Sequence, residues 1–274
     1  MTRLYNTDGL TFFFGQKRRK EAIFVTIAVA VFITNACRKT TPAPPAVPPA
    51  VSTADAVRQA DDLYSGRADL IKVRQGIVAL RQAQATDPSN YDSAWRLAKF
   101  NYYLGSHTSD QAGQDKAFRD GIDAGKLAVE LQAGKADGHF WLGANYGGIA
   151  QISILAGLAE IEDIKREMQT VLKIDERYQG GSAYLVLGQV YQQSPRILGG
   201  DTQKAIEYFE KGLRIASDNA LLRAHLAEAY TEAHRNGDAR RQIEALLAMK
   251  PSPGYEPEYN DAVAQVKKLQ EKIK

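Results

Sequence analysis

The side chains best placed for chemistry are few. His225, Glu228 and Glu232 follow one another at intervals of three and four residues, which sets them along one face of a helix. An imidazole and two carboxylates in that order could gather around a metal or supply a general base. A zinc-hydrolase helix needs a second histidine one turn away, and the sequence has none there. A solvated helix face accounts for the trio more simply. His107 and His139 stand alone and are expected at helix ends. Gly180-Gly181-Ser182 and Gly199-Gly200-Asp201 are Gly-rich, yet neither has the P-loop lysine or the Gly-x-Gly-x-x-Gly that follows a strand in dinucleotide sites. They read as turns that introduce helices. No Gly-x-Ser-x-Gly, paired-cysteine motif or His-Glu-x-x-His occurs. The sequence argues against an enzyme and calls for no cofactor and no metal.

The chain of 274 residues is 44% hydrophobic and 24% charged, as expected for one folded domain with a short appendage. Its net charge of +3 comes from residues 1–36, where Arg3, Lys17, Arg18, Arg19 and Lys20 face only Asp8 and Glu21. From residue 37 onward, 30 basic residues balance 30 acidic ones, so no positive field recommends a nucleic-acid partner. One cysteine, Cys37, forms no intramolecular disulfide.

The position of that cysteine is informative. The basic run Lys17–Lys20 precedes twelve residues, Ala22 to Ile33, in which only Thr26 is polar. That run is too short to span a bilayer and fits the apolar part of a secretory signal. Ala36-Cys37 resembles the end of a bacterial lipoprotein box, which implies lipidation at Cys37; Thr34 and Asn35 depart from that pattern. An uncleaved anchor and cleavage by the ordinary signal peptidase remain alternatives. All three place the domain outside the cytoplasm, and the expectation is a membrane-anchored protein of the bacterial cell envelope that faces the periplasm. Five of the ten prolines fall between Thr41 and Ala50, which favours an extended spacer. The expected organisation is a signal or anchor at 1–37, a linker at 38–52 and a helical domain at 53–274.

From about Thr53 apolar residues recur at helical spacing, and a period near 34 emerges. Its clearest unit has Leu226-Ala227, Tyr230, Ala239, Ile243 and Leu246, with Asn236-Gly237-Asp238 as the turn and Pro251 as the stop. The preceding unit repeats it with Leu187-Gly188, Tyr191, Ala205, Phe209 and Gly212, stretched by an insertion in which Asp201 is placed to cap the next helix. Leu142-Gly143 with Tyr146, and Leu97-Ala98 with Tyr102, mark two earlier units, and a weaker first one ends at Asp87-Pro88. Small residues let paired helices cross closely while aromatic ones fill the space between. The fold class is all-α, a right-handed superhelical solenoid of about five helix pairs, with Tyr259–Lys274 as an amphipathic helix capping the stack. The apolar insertion Gly147–Gly157 is expected either to bury itself over the groove or to form a subunit contact.

These spacings resemble tetratricopeptide (TPR) repeats. More narrowly, HFWLGANYG with its Gly-rich insertion, and LGQVYQQSPRILGGDTQKAIEYFEKGL, resemble the TRAP-transporter-associated TPR lipoproteins, the TatT group. That resemblance implies a periplasmic accessory that pairs with a solute-binding protein and holds an apolar or organic-acid ligand in a groove or pore. A scaffold for envelope assembly through protein–protein contacts is the alternative. In such a solenoid the first helix of each pair lines the concave side, which assigns Trp95, Lys99, Tyr102, Tyr103 and Phe140 to an aromatic end of the groove. Leu185, Gln189, Gln192, Gln193, Glu228 and Glu232 form its polar to acidic end.

Overall fold

The computed structural model describes residues 52–251 and 256–273; the signal segment, Cys37 and the Pro-rich linker lie outside them. Eleven α-helices run through the described residues: α1 Thr53–Ser65, α2 Leu70–Thr86, α3 Tyr91–His107, α4 Gln111–Leu131, α5 Ala136–Ile152, α6 Ile154–Ile174, α7 Ser182–Gln193, α8 Thr202–Ile215, α9 Ala220–Glu232, α10 Asn236–Leu247 and α11 Glu256–Lys272. The first ten form five antiparallel pairs, each stacked on the next, and no strand occurs among the described residues. The chain is an all-α, TPR-type solenoid.

Local chemistry sets the helix starts. Asn90 accepts a hydrogen bond from the Ser93 amide at 2.8 Å, Asp110 from Gly113 at 2.7 Å, Asp201 from Lys204 at 3.0 Å and Asn219 from Leu222 at 3.1 Å. Each satisfies an amide that the helix itself leaves without a partner. Gly181 and Gly199, with φ of 76° and 85°, take the left-handed conformation that lets the chain turn into α7 and toward α8. The pairs close through small residues: a Cβ at Gly188 would lie 2.3 Å from the Phe209 ring, so only glycine admits that ring against α7.

Two local expectations are corrected. Asn236-Gly237-Asp238 is not the turn but the first turn of α10; the chain reverses at Ala233–Arg235, with His234 at φ 58°. α10 ends at Leu247, four residues before Pro251, so the proline follows the stop and does not cause it. The apolar insertion Gly147–Gly157 lengthens α5 to Ile152 and begins α6 at Ile154.

The largest correction concerns the last helix. α5 and α9 each pack on the second helix of the pair before them. α11 instead packs chiefly on α9 and only lightly on α10. Ala262, Val266, Leu269 and Ile273 bury its apolar stripe in the main core. Gln265 donates to Glu228 on α9 at 2.9 Å, and the Arg240 guanidinium on α10 donates to the Ile273 carbonyl at 2.7 Å. α11 is therefore folded onto the inner face of the stack and does not extend it.

Candidate functional site

Two features line the inner side of the stack, a polar row on α7 and α9 and an aromatic end on α1 and α3. In the polar row the Gln189 side-chain amide meets His225 Nε2 at 2.9 Å, and Gln192 donates to Glu232 at 3.0 Å. His225 Nδ1 lies 3.7 Å from Glu228, beyond a hydrogen bond but within ionic reach. His225 thus sits buried, against Gln189 and stacked on Phe209, not on a solvated face. No group of three or more His, Cys, Asp or Glu able to hold a metal occurs among the described residues. The two carboxylates respond in opposite directions: the neighbouring His225 holds Glu228 below the usual range, while burial raises Glu232.

At the other end Lys99 is buried on α3, its ammonium 4.1 Å from the Tyr64 ring centroid and 5.8 Å from that of Trp141. Arg67 lies over both Tyr64, at 5.3 Å, and Tyr103, at 5.9 Å. Two cations and two phenol rings form one seat. Tyr103 stacks on His107 at 3.9 Å, and His107 is the last residue of α3, as expected. Burial raises the Tyr103 phenol; Arg67 opposes that rise and the carboxylate of Glu258, from α11, adds to it.

The other expected groove residues divide. Trp95 is half-buried, bonded to Asp92 at 3.2 Å and covered by Arg96. Tyr102 and Phe140 offer no usable surface: they are 1% and 0% exposed, with Tyr102 packed on Phe118 and Trp141, and Phe140 on Trp141 and Tyr178. Neither ring reaches a groove ligand. His139 does not end a helix; it is buried near the start of α5, where its Nδ1 meets Glu167 at 2.7 Å and its Nε2 meets the Ala133 carbonyl at 2.9 Å.

Sequence reasoning missed a cavity of about 290 Å³ between the end of α5, the start of α6 and α7. Gly147, Ala150, Gly157, Leu158, Ile161 and Ile164 wall one side, and Val186, Val190 and Pro195 the other. Gln189 and Gln193 supply polar groups at its edge, and Gln189 also belongs to the polar row. The Gln189 carbonyl oxygen and His225 Nδ1 are both buried without a hydrogen-bond partner. An engineered apolar cavity of roughly half this volume holds benzene, so roughly a dozen non-hydrogen atoms fit. The signal for it was the uncharged run Gly147–Gly157, of which Gly147, Ala150 and Gly157 line the cavity.

Comparisons with known proteins bear on this arrangement. The family described as the TRAP transporter T-component matches residues 81–267, well over half of the chain. The chain belongs to the TRAP transporter T-component family. A T-component of this fold is a TPR-type accessory of a TRAP transporter, and family and fold are of the non-catalytic, accessory kind. The crystal structure of a thermophilic TPR protein from Thermus thermophilus is similar at a TM-score of 0.57 and 19% identity, covering 78% of this chain and 100% of that one. The pilF protein of Pseudomonas aeruginosa is similar at a TM-score of 0.54 and 17% identity, covering 81% and 93%. These likenesses show the fold alone. A search of the curated proteins gave no match. No described helix of this T-component is long and apolar enough to cross a membrane.

Proposed function

We propose that this T-component is a periplasmic binding protein, tethered through Cys37, that holds a small, mostly apolar organic molecule in the α5–α6–α7 cavity and works beside a solute-binding protein. The observation that carries the reading is the cavity itself. An apolar chamber with a few polar groups is the usual form of a small-molecule site, where apolar walls supply affinity and the polar groups fix orientation. Here Gln151, Gln189, Gln193 and Ser194 supply those groups. Side-chain amides and a hydroxyl both donate and accept, so the ligand presents a polar end group there: a hydroxyl, an amide or a carboxyl. The partner-binding contribution falls to the groove residues Lys99, Tyr103, Gln192, Glu228 and Glu232. An envelope scaffold would need no such chamber.

Calorimetric titration of the full chain with hexanoic, octanoic and decanoic acids and with octanol tests the reading. Binding that strengthens with chain length and then stops as the cavity fills is expected. Ala150→Phe places a ring in the chamber and should weaken binding at least tenfold, and Gln189→Leu with Gln193→Leu should reduce the preference for a polar end group. Failure of every compound to bind, together with capture of wall or outer-membrane assembly proteins in place of a solute-binding protein, would replace this reading with the scaffold.

A further inference from the structure

The groove in which TPR-type solenoids take partner segments already holds a helix, and that helix matches it in apolar stripe and in charge. Along α11, Ala262, Val266, Leu269 and Ile273 form one apolar stripe, buried with α9 in the core. Its first turn is acidic, with Glu256 and Glu258, and its last turn holds Lys272. The groove has the reverse polarity: Arg67 and Lys99 on the Tyr64–Tyr103 seat at one end, and Glu228 and Glu232 on α9 at the other. Glu258 is buried although it sits in the first turn of its helix, and its charge helps to raise the Tyr103 phenol of the seat; burial raises Asp261, one turn on, and His107, which stacks on Tyr103, opposes that rise. Toward the far end Gln265 bonds Glu228, and the field of Lys272 reaches the same carboxylate. Apolar stripe on apolar face, acid on cations and cation on acids is the pattern of helix-in-groove recognition.

We propose that α11 is the intramolecular occupant of a helix-binding groove, latched by Glu258 at the Tyr64–Arg67–Lys99–Tyr103 seat, and that the groove takes in exchange a partner's amphipathic helix with an acidic first turn. The resident helix is the template for the visitor. A tethered occupant competes at high effective concentration, so the groove of the intact chain stays closed to weak or mismatched helices. Loosening the latch opens it. The proposal concerns the groove and stands whatever the cavity binds.

The test uses the full chain, unmodified and as Glu258→Gln, with a fluorescein-labelled peptide of residues 256–273 and a control peptide in which Glu256 and Glu258 are both glutamine. Fluorescence anisotropy should show the α11 peptide binding the Glu258→Gln chain at least tenfold tighter than the unmodified chain, with the control peptide gaining little. Hydrogen exchange should quicken about tenfold across the first half of α11 in Glu258→Gln while α7 and α8 stay protected. Unchanged exchange in α11, or equal binding of the two peptides, or no binding of either to either chain, overturns the proposal. Thermal melts of both chains separate a loosened latch from general unfolding. Should Glu258→Gln unfold, Gln265→Ala, which releases the Glu228 contact alone, replaces it with the same expectations at reduced size.

Discussion

Both ring nitrogens of His139 face acceptors, a carboxylate oxygen of Glu167 and the carbonyl of Ala133. A neutral imidazole donates through one nitrogen only, so this geometry suits the doubly protonated ring. The hydrogen bond to Glu167 is the main cause that raises the His139 pKa, with burial opposing it. A histidine whose folded pKa lies above its unfolded value of about 6.5 contributes its full stabilisation below that pH. The contribution fades as the pH rises through the folded pKa. Charged hydrogen bonds of this kind are worth about 1–3 kcal/mol. The melting temperature of His139→Gln should therefore fall below that of the unmodified chain by most at pH 6, and the gap should narrow by pH 9. A gap that stays constant or widens with pH would show that the ring is neutral in the fold. Nothing in the sequence announced this pair, because 28 residues separate the partners and a lone histidine looks the same buried or exposed.

Helix α9 ends with His234 in the left-handed region, where the Arg235 amide reaches back to the Tyr230 carbonyl at 2.7 Å. Glycine is the usual residue at that place, because any Cβ there meets the following carbonyl. His234→Gly should stabilise the fold by roughly 0.5–1 kcal/mol after its greater unfolded-state freedom is set against the relieved strain. A rise of about 1–4 °C in a calorimetric melt is the expected result, and a fall would mean that the histidine ring contributes more than the turn costs. At this scale the sequence was at its most legible. Asn90, Asp110, Asp201 and Asn219 announce helix starts because a short acceptor side chain bonds amides two or three residues on. Leu-Ala and Leu-Gly steps with a tyrosine three or four residues on mark the pairing, since close crossing demands a small residue. Groove residues were harder. Tyr102 and Tyr103 differ by one position, about 100° around the helix, and that rotation decides between the sealed core and the seat over Tyr64. The cavity escaped notice because a run of small apolar residues states how much space is left, not where it opens.

Across the whole molecule α11 packs on the last pair, and the charge of Glu258 in its first turn acts on Tyr103 of α3. Periodicity shows that α11 has an apolar stripe but cannot say which surface receives it, so a cap at the end of the stack was the natural expectation. The stripe also supports a prediction. Val266 is fully buried between α11 and the core, and Val266→Asp would leave a carboxylate there without a partner, at a cost of about 3 kcal/mol or more. Hydrogen exchange should then quicken not only in α9 but also around Tyr103 on α3, far along the chain. Loss of protection confined to α9 and α10 would mean that the two regions are held independently. Repeat arrays otherwise tolerate lengthening, since each unit touches only its neighbours. Here the 17-residue α11, about 25 Å long, works as a ruler laid across the inside of the curve. With the proposed latch, its two ends meet their counterparts only at one curvature and one number of repeats, so duplicating or deleting a pair would misplace an end, and the latch, unlike an open array, sets a fixed count.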